Sequence, residues 1–415
     1  MKRTSVLALC FLLLSSVASA GIFIYEPKDK GVAFEKVVML KGVAKDVSRL
    51  TVNGQQLQLQ PDGSFACGLV LRRGKNYVDV RAVDAYGQVF DKQVRILGLK
   101  SYPDIETLYE GKKHWARQQI VYLSSLGFIE GYPDDNFYPG NPITRGELAT
   151  WLARIKKLSI PALTEDVFFD VPKEHWRAPY VKAVVDAGYM QGYDNQTFGL
   201  EDPISRRQAA SIAVLAEGID VVDKTKPLFI DVPKTERGAF PIYIGKEKGL
   251  LRGVSEDIPV YEPERALTRA EATILLSRFK RSQNAVQWLF NYSKGFAADS
   301  YCPLNIAPQM ISFSINPETI QANEQSTVAL RLTLGSRDNF APIAKVKVDL
   351  SELGGMPDVL LFDDGSHGDQ VSGDLIYSLN VLLEPKESGS KPVRVTAVDK
   401  LGWESAAEAW LTIVE

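Results

Sequence analysis

The sequence predicts a multidomain α+β protein: an all-β sandwich, then a mostly helical array of three repeats, then a second all-β sandwich. Three observations carry this reading. A hydroxyl residue, Arg and a Glu or Gln recur together as Thr144-Arg145-Gly146-Glu147, Ser205-Arg206-Arg207-Gln208 and Thr268-Arg269-Ala270-Glu271. They close units of roughly 61 residues, a period that marks units needing one another to complete a core. Both ends of the chain instead show short alternating runs between turn signals. Finally, Ala82-Val83-Asp84-Ala85-Tyr86-Gly87 near the front is echoed by Ala397-Val398-Asp399-Lys400-Leu401-Gly402 near the end. A chain of 415 residues is long enough for three domains.

Residues 1–20 read as a secretory signal peptide. Lys2-Arg3, an apolar run from Val6 to Leu14 and Ala18-Ser19-Ala20 predict cleavage after Ala20. Cys10 lies inside the apolar run, and Leu9 before it is too large for a lipoprotein site. No other stretch approaches the roughly 20 apolar residues of a membrane span, so the mature chain is expected to be exported without a transmembrane segment. The formal net charge of −3, made more acidic by loss of Lys2 and Arg3, gives no sign of a nucleic-acid partner.

The first sandwich is expected over 21–99. Strands are predicted at Val37 to Val43, Leu50 to Val52, Gln55 to Leu59, Ser64 to Leu71, Tyr77 to Val83 and Val89 to Leu97. Turn signals separate them at Asn53-Gly54, Pro61-Asp62-Gly63, Arg73-Gly74 and Tyr86-Gly87. This grammar resembles bacterial immunoglobulin-like (Ig-like) modules, and residues 305–415 repeat it. Between array and second sandwich, a connector at 282–304 carries Trp288-Leu289-Phe290 and Tyr292, which predict packing against a neighbour.

The repeats occupy 100–160, 161–224 and 225–281. Thr or Ser with Glu or Gln three places later is the capping box of a helix start, with Ile143, Ile204 and Leu267 placed as hydrophobic staples. The helices that follow carry apolar stripes, such as Leu148, Leu152 and Ile155. Arg145, Arg206 and Arg269 do not fit this logic, because a cation in the first turn faces the positive end of the helix dipole at a cost of about 0.3–1 kcal/mol. Two explanations stand: an anionic ligand gripped by the guanidinium beside free N–H groups, or structural ion pairs with the recurring Asp104, Asp170 and Asp231. The first predicts that replacing an arginine preserves stability and weakens binding.

Further landmarks recur: Phe169-Asp170-Val171-Pro172 with Ile230-Asp231-Val232-Pro233, His114-Trp115 with His175-Trp176, and Gly131-Tyr132-Pro133-Asp134 and Phe137-Tyr138-Pro139 in the first unit. With the Ile-Thr-Arg-Gly-Glu and Leu267-Thr268-Arg269-Ala270-Glu271 endings, residues 100 to 280 resemble the S-layer homology (SLH) domain. That resemblance implies a pseudo-threefold helical spindle whose grooves bind a secondary cell-wall polymer, typically through a pyruvylated sugar. Unit by unit it implies the polymer-binding sets Asp104, Trp115, Gly131 and Arg145; Asp170, Trp176, Gly192 and Arg206; and Asp231, Gly253 and Arg269. Three departures stand out: Arg237 occupies the third unit's Trp place, about five extra residues separate Asp104 from Trp115, and Gln208 replaces Glu. Trp115 and Trp176 fit either a groove or the core.

Elsewhere, Asp363, Asp364, Asp369 and Asp374 could hold Ca²⁺, but Asp and Gly also dominate tight turns, and the turn reading is preferred. Cys67 and Cys302 survive signal cleavage and could pair or stay as buried thiols. No catalytic motif is present, and no cofactor is expected. The expectation is thus a non-enzymatic envelope protein whose array binds an anionic wall polymer while the sandwiches act as spacers or interaction modules. The alternatives are a protein-binding scaffold of the envelope and a glycan-active enzyme with an unfamiliar site.

Overall fold

The computed structural model describes residues 21–106, 111–193, 196–221, 227–236, 238–254, 257–297, 300–335 and 341–415. The expected signal peptide and Arg237 lie outside the described residues. Among the described residues no helix is long and apolar enough to cross a membrane.

The first sandwich pairs β1 (Gly21–Glu26), β3 (Val37–Lys45) and β6 (Ser64–Val70) in the order β1-β3-β6. Facing them are β2 (Gly31–Ala33), β4 (Arg49–Val52), β5 (Gln55–Leu57), β7 (Gly74–Val83) and β8 (Val89–Gly98), in the order β2-β8-β7-β4-β5. Alternation drives the burial: Leu50 and Val52 on β4 and Val78, Val80 and Ala82 on β7 point into the core. The sequence pattern does not announce β1 and β2, because both are edge strands and Phe23 and Tyr25 on β1 face solvent.

The second sandwich repeats this topology strand for strand. Its elements are β9 (Met310–Asn316), β10 (Thr319–Gln321), β11 (Ser326–Leu334), β12 (Ile343–Asp349), β13 (Val359–Leu361), β14 (Ile376–Leu383), β15 (Gly389–Asp399) and β16 (Glu404–Val414). They form sheets β14-β11-β9 and β10-β16-β15-β12-β13. The short second strand pairs in parallel with the last strand in both domains. The sequence echo has a local cause: Asp84 accepts the N–H groups of Tyr86 and Gln88, and Asp399 those of Leu401 and Trp403, closing the same turn.

The middle region is helical: α1 (Pro103–Glu106), α2 (Arg117–Ser125), α3 (Arg145–Lys156), α4 (Ala178–Asp186), α5 (Arg206–Ala216), α6 (Ala239–Glu247) and α7 (Arg269–Ser277). All three capping boxes form, at Thr144/Glu147, Ser205/Gln208 and Thr268/Glu271. The packing runs in a circle. Helix α3 lies against α4 of the next unit, α5 against α6, and α7 back against α2 of the first. At the centre Ile204 N–H donates to the carbonyl of Ile143, Leu267 to Ile204, and Ile143 to Leu267, at 2.9–3.1 Å. One apolar core runs through all three units, from Ile120 through Val184 to Leu276.

The 281/282 boundary read from sequence falls inside a further helix, α8 (Lys280–Leu289). From the last turn of this helix onward the connector packs onto the first sandwich. Lys75 Nζ lies 4.1 Å from the Trp288 ring centroid and donates to the Asn291 carbonyl at 2.7 Å, and Tyr301 stacks on Tyr77. Cys302 therefore shares the first sandwich's core with Cys67. Both are buried free thiols, and burial raises their pKa values, to about 11 for Cys67 and about 12 for Cys302. Buried Asn305 joins the two ends, donating to Asp399 Oδ2 at 2.8 Å while its own N–H reaches the Gly68 carbonyl.

Candidate functional site

The helix-start arginines sit at the seams between units. They are 5%, 6% and 1% exposed for Arg145, Arg206 and Arg269. Arg145 donates Nε to the Phe198 carbonyl and Nη2 to that of Gln191, both in the second unit. Arg206 does the same to Tyr261 and Arg252 in the third, and Arg269 to Phe137 and Glu130 in the first. Each guanidinium also lies over an aromatic ring, Tyr193, Tyr261 and Tyr132 respectively, at 4.5–4.7 Å.

This geometry corrects two expectations. The arginines do not pair with Asp104, Asp170 or Asp231. Those carboxylates accept main-chain N–H groups within their own units: Phe137 and Tyr138 for Asp104, Phe198 to Leu200 for Asp170, and Tyr261 and Glu262 for Asp231. Phe137, Phe198 and Tyr261 are each held from both sides, N–H by an aspartate and carbonyl by an arginine. Nor are the first N–H groups of the helices free, since those of Arg145 and Gly146 donate to Asp202 and Leu200, and the other two starts repeat this across the next seam. The dipole misfit is offset by carbonyls that the neighbouring unit delivers.

Gly131 and Gly192 are explained by close approach. A Cβ on Gly131 would come within 2.4 Å of the Tyr102 ring, and one on Gly192 within 2.4 Å of the Phe168 ring. His114 and His175 use Nδ1 to accept the N–H groups of Ala116 and Arg177. Trp115 and Trp176 are not core residues: they are 64% and 50% exposed.

The sequence grouped candidate residues by unit, whereas the structure groups them across units. One hollow of about 690 Å³ brings together Trp115 of the first unit, Arg206 of the second, and Gly253 and Glu271 of the third. Its wall also carries Arg252, Arg265 and Arg278, which the sequence reading did not single out because the residue type at each of these places is not kept in all three units. Glu271 accepts from both Arg206 and Arg265. Burial opposes its charge, but these arginines and the Thr268 N–H outweigh that and hold its carboxyl below the usual range.

The corresponding seam at Arg269 contains Glu147, which accepts from Arg269 and lies 3.8 Å from Arg177, the residue after Trp176. At Arg145 the capping residue is Gln208, so no carboxylate reaches this guanidinium among the described residues, and burial lowers its pKa. By the same rotation Trp176 belongs with the Arg269 seam, and among the described residues no Trp is placed at the Arg145 seam.

In the second sandwich, Asp363, Asp369 and Asp374 bring carboxylate oxygens within 4.8 Å of one another. Asp364 turns away to Ser366. Asp363 accepts the N–H groups of Gly373, Asp374 and Leu375, and Asp369 that of Gly365, which is the work of a turn. Ca²⁺ takes six to eight oxygens, and millimolar Ca²⁺ is expected to leave the domain's melting temperature unchanged. A rise that disappears in Asp369→Ala would instead assign a metal site here.

Comparison with known families finds matches in the first sandwich and in two units of the array. Residues 111–149 and 168–210 match the S-layer homology domain, and residues 21–98 match glucodextranase domain B. The chain therefore carries S-layer homology domains behind an Ig-like module. An S-layer protein of Bacillus thuringiensis subsp. finitimus is 31% identical over 181 residues, 43% of this chain and 21% of the relative. A cellulosome-anchoring protein of Acetivibrio thermocellus is 32% identical over 111 residues, 26% of this chain and 24% of the relative. An uncharacterized cell wall amidase of Bacillus anthracis is 29% identical over 280 residues, 66% of this chain and 50% of the relative. The chain thus spans half or less of the length of each.

Proposed function

We propose that this chain is held non-covalently at the cell envelope by its helical array, which binds an anionic wall polysaccharide such as a pyruvylated one. The three units act as a pseudo-threefold array, a reading supported by the circular hydrogen bonds of Ile143, Ile204 and Leu267. The sandwiches serve as spacers or interaction modules, and the chain itself is non-enzymatic.

The observation that carries the reading is the hollow at Arg206, where an exposed Trp115 adjoins a wall rich in arginine. A sugar ring offers its C–H face to the indole, and a carboxylate substituent meets the guanidinium groups. The mature protein should co-sediment with purified sacculi and lose that association once the attached polymer is chemically stripped. Trp115→Ala should weaken binding by about tenfold or more at unchanged melting temperature, since an exposed aromatic contributes to contact rather than to the core. Undiminished sedimentation with stripped sacculi would replace the polymer by a protein partner.

A further inference from the structure

The Arg206 seam differs from its two counterparts in charge. The residue before each groove glycine is Arg252 here, Glu130 at the Arg269 seam and Gln191 at the Arg145 seam. At the end of the helix that supplies the capping residue the three seams carry Arg278, Arg154 and Leu215. At the Arg269 seam the pair neutralises itself, with Arg154 and Glu130 2.7 Å apart. At the Arg145 seam neither position is charged. At these two positions, among the described residues, two like charges meet at the Arg206 hollow alone.

Neither Arg252 nor Arg278 is paired with a carboxylate among the described residues. Arg278 donates Nη1 to the Leu250 carbonyl at 2.9 Å, and the rest of its guanidinium is left for other partners. Burial, with the nearby charge of Arg252, lowers its pKa. Arg252 is exposed and Arg278 half-buried, so the two like charges flank the opening of the hollow, where an anion between them would meet both guanidinium groups. Arg265 and Arg206 already converge on Glu271, so the uncompensated charge is concentrated at Arg252 and Arg278.

Building on the polymer-binding reading, we infer that this hollow takes a glycan segment bearing two anionic groups: one faces Arg206 beside Trp115, and the second lies between Arg252 and Arg278. A hollow of about 690 Å³ has the size of an ordinary ligand site and accommodates more than one sugar. The Arg269 seam, neutralised internally, lacks this second anion position.

The test uses the whole mature chain with galacturonic acid as a singly charged probe and digalacturonic acid as a doubly charged one, by titration calorimetry at low salt. Wild type should bind digalacturonic acid at least about tenfold more tightly than galacturonic acid. The variant carrying Arg252→Gln and Arg278→Gln should lose that advantage and bind the two probes alike. Arg252→Glu, which recreates the Glu130–Arg154 pairing, should lose the same advantage at an equal or higher melting temperature. Equal affinity of wild type for the two probes, absence of binding by either, or an undiminished advantage in the double variant overturns the inference. Sedimentation of wild type with sacculi reads the polymer assignment separately: retention there alongside a negative probe result removes only the second anion position.

Discussion

Arg269→Gln is expected to destabilise the helical array by about 3–5 kcal/mol, the cost of removing one partner of a buried ion pair. The anionic-ligand reading of the sequence argued the reverse, that stability would hold. The structure changes the expectation because Arg269 is buried against Glu147 and the carbonyls of Phe137 and Glu130. Glutamine cannot reach all three, so a buried carboxylate and two carbonyls lose their donors. Arg145→Gln is expected to cost less, about 1–3 kcal/mol, since it leaves only the Phe198 and Gln191 carbonyls unsatisfied. Chemical denaturation of the two single variants checks the ordering. Equal losses, or a loss under 1 kcal/mol at Arg269, would mean that the seam is not held by this contact.

Removing the third unit, residues 225–281, should abolish the cooperative unfolding of the other two. The deletion takes away Leu267, whose N–H and carbonyl join Ile204 to Ile143, and Arg269, which holds the Phe137 loop. It also uncovers α2, which α7 covers, and the second unit's α5, which α6 covers. Arrays of this kind derive much of their stability from interfaces between units, and here the interfaces close on themselves. Circular dichroism on heating would show a broad, early loss of helix. A sharp transition at the full-length temperature would mean that two units suffice.

Much of the fold was legible because its signals are local. Alternation placed six of the first sandwich's strands, and the capping boxes placed α3, α5 and α7, since cap, staple and stripe all lie within one turn of the helix start. Strands β1 and β2 escaped notice because edge strands need not bury a face. The connector's aromatic run foretold packing, but not that Cys302 would enter the core formed by β6 and β7.

The candidate site was legible only in part. Trp115, Arg206 and Gly253 were all singled out, yet each was assigned to a set within its own unit, while the hollow takes one from each of three units. Arg252, Arg265 and Arg278 left no signal of a site, because the residue type at each of these places changes between units. Gln208 did leave one, as a permissible cap, but its consequence appears only across the seam, where Arg145 meets no carboxylate.

The sequence by itself determined the order of domains, the repeat period, the helix starts and the residue types that recur, because each depends on contacts within a few positions of the chain. Only the tertiary structure decided which units those residues serve. A circular array places every helix start against the following unit, so the partners of Arg145, Arg206 and Arg269 lie 46 to 139 residues away. No spacing along the chain encodes that rotation, and the charge left on the wall of one hollow emerges only when three separate units meet there.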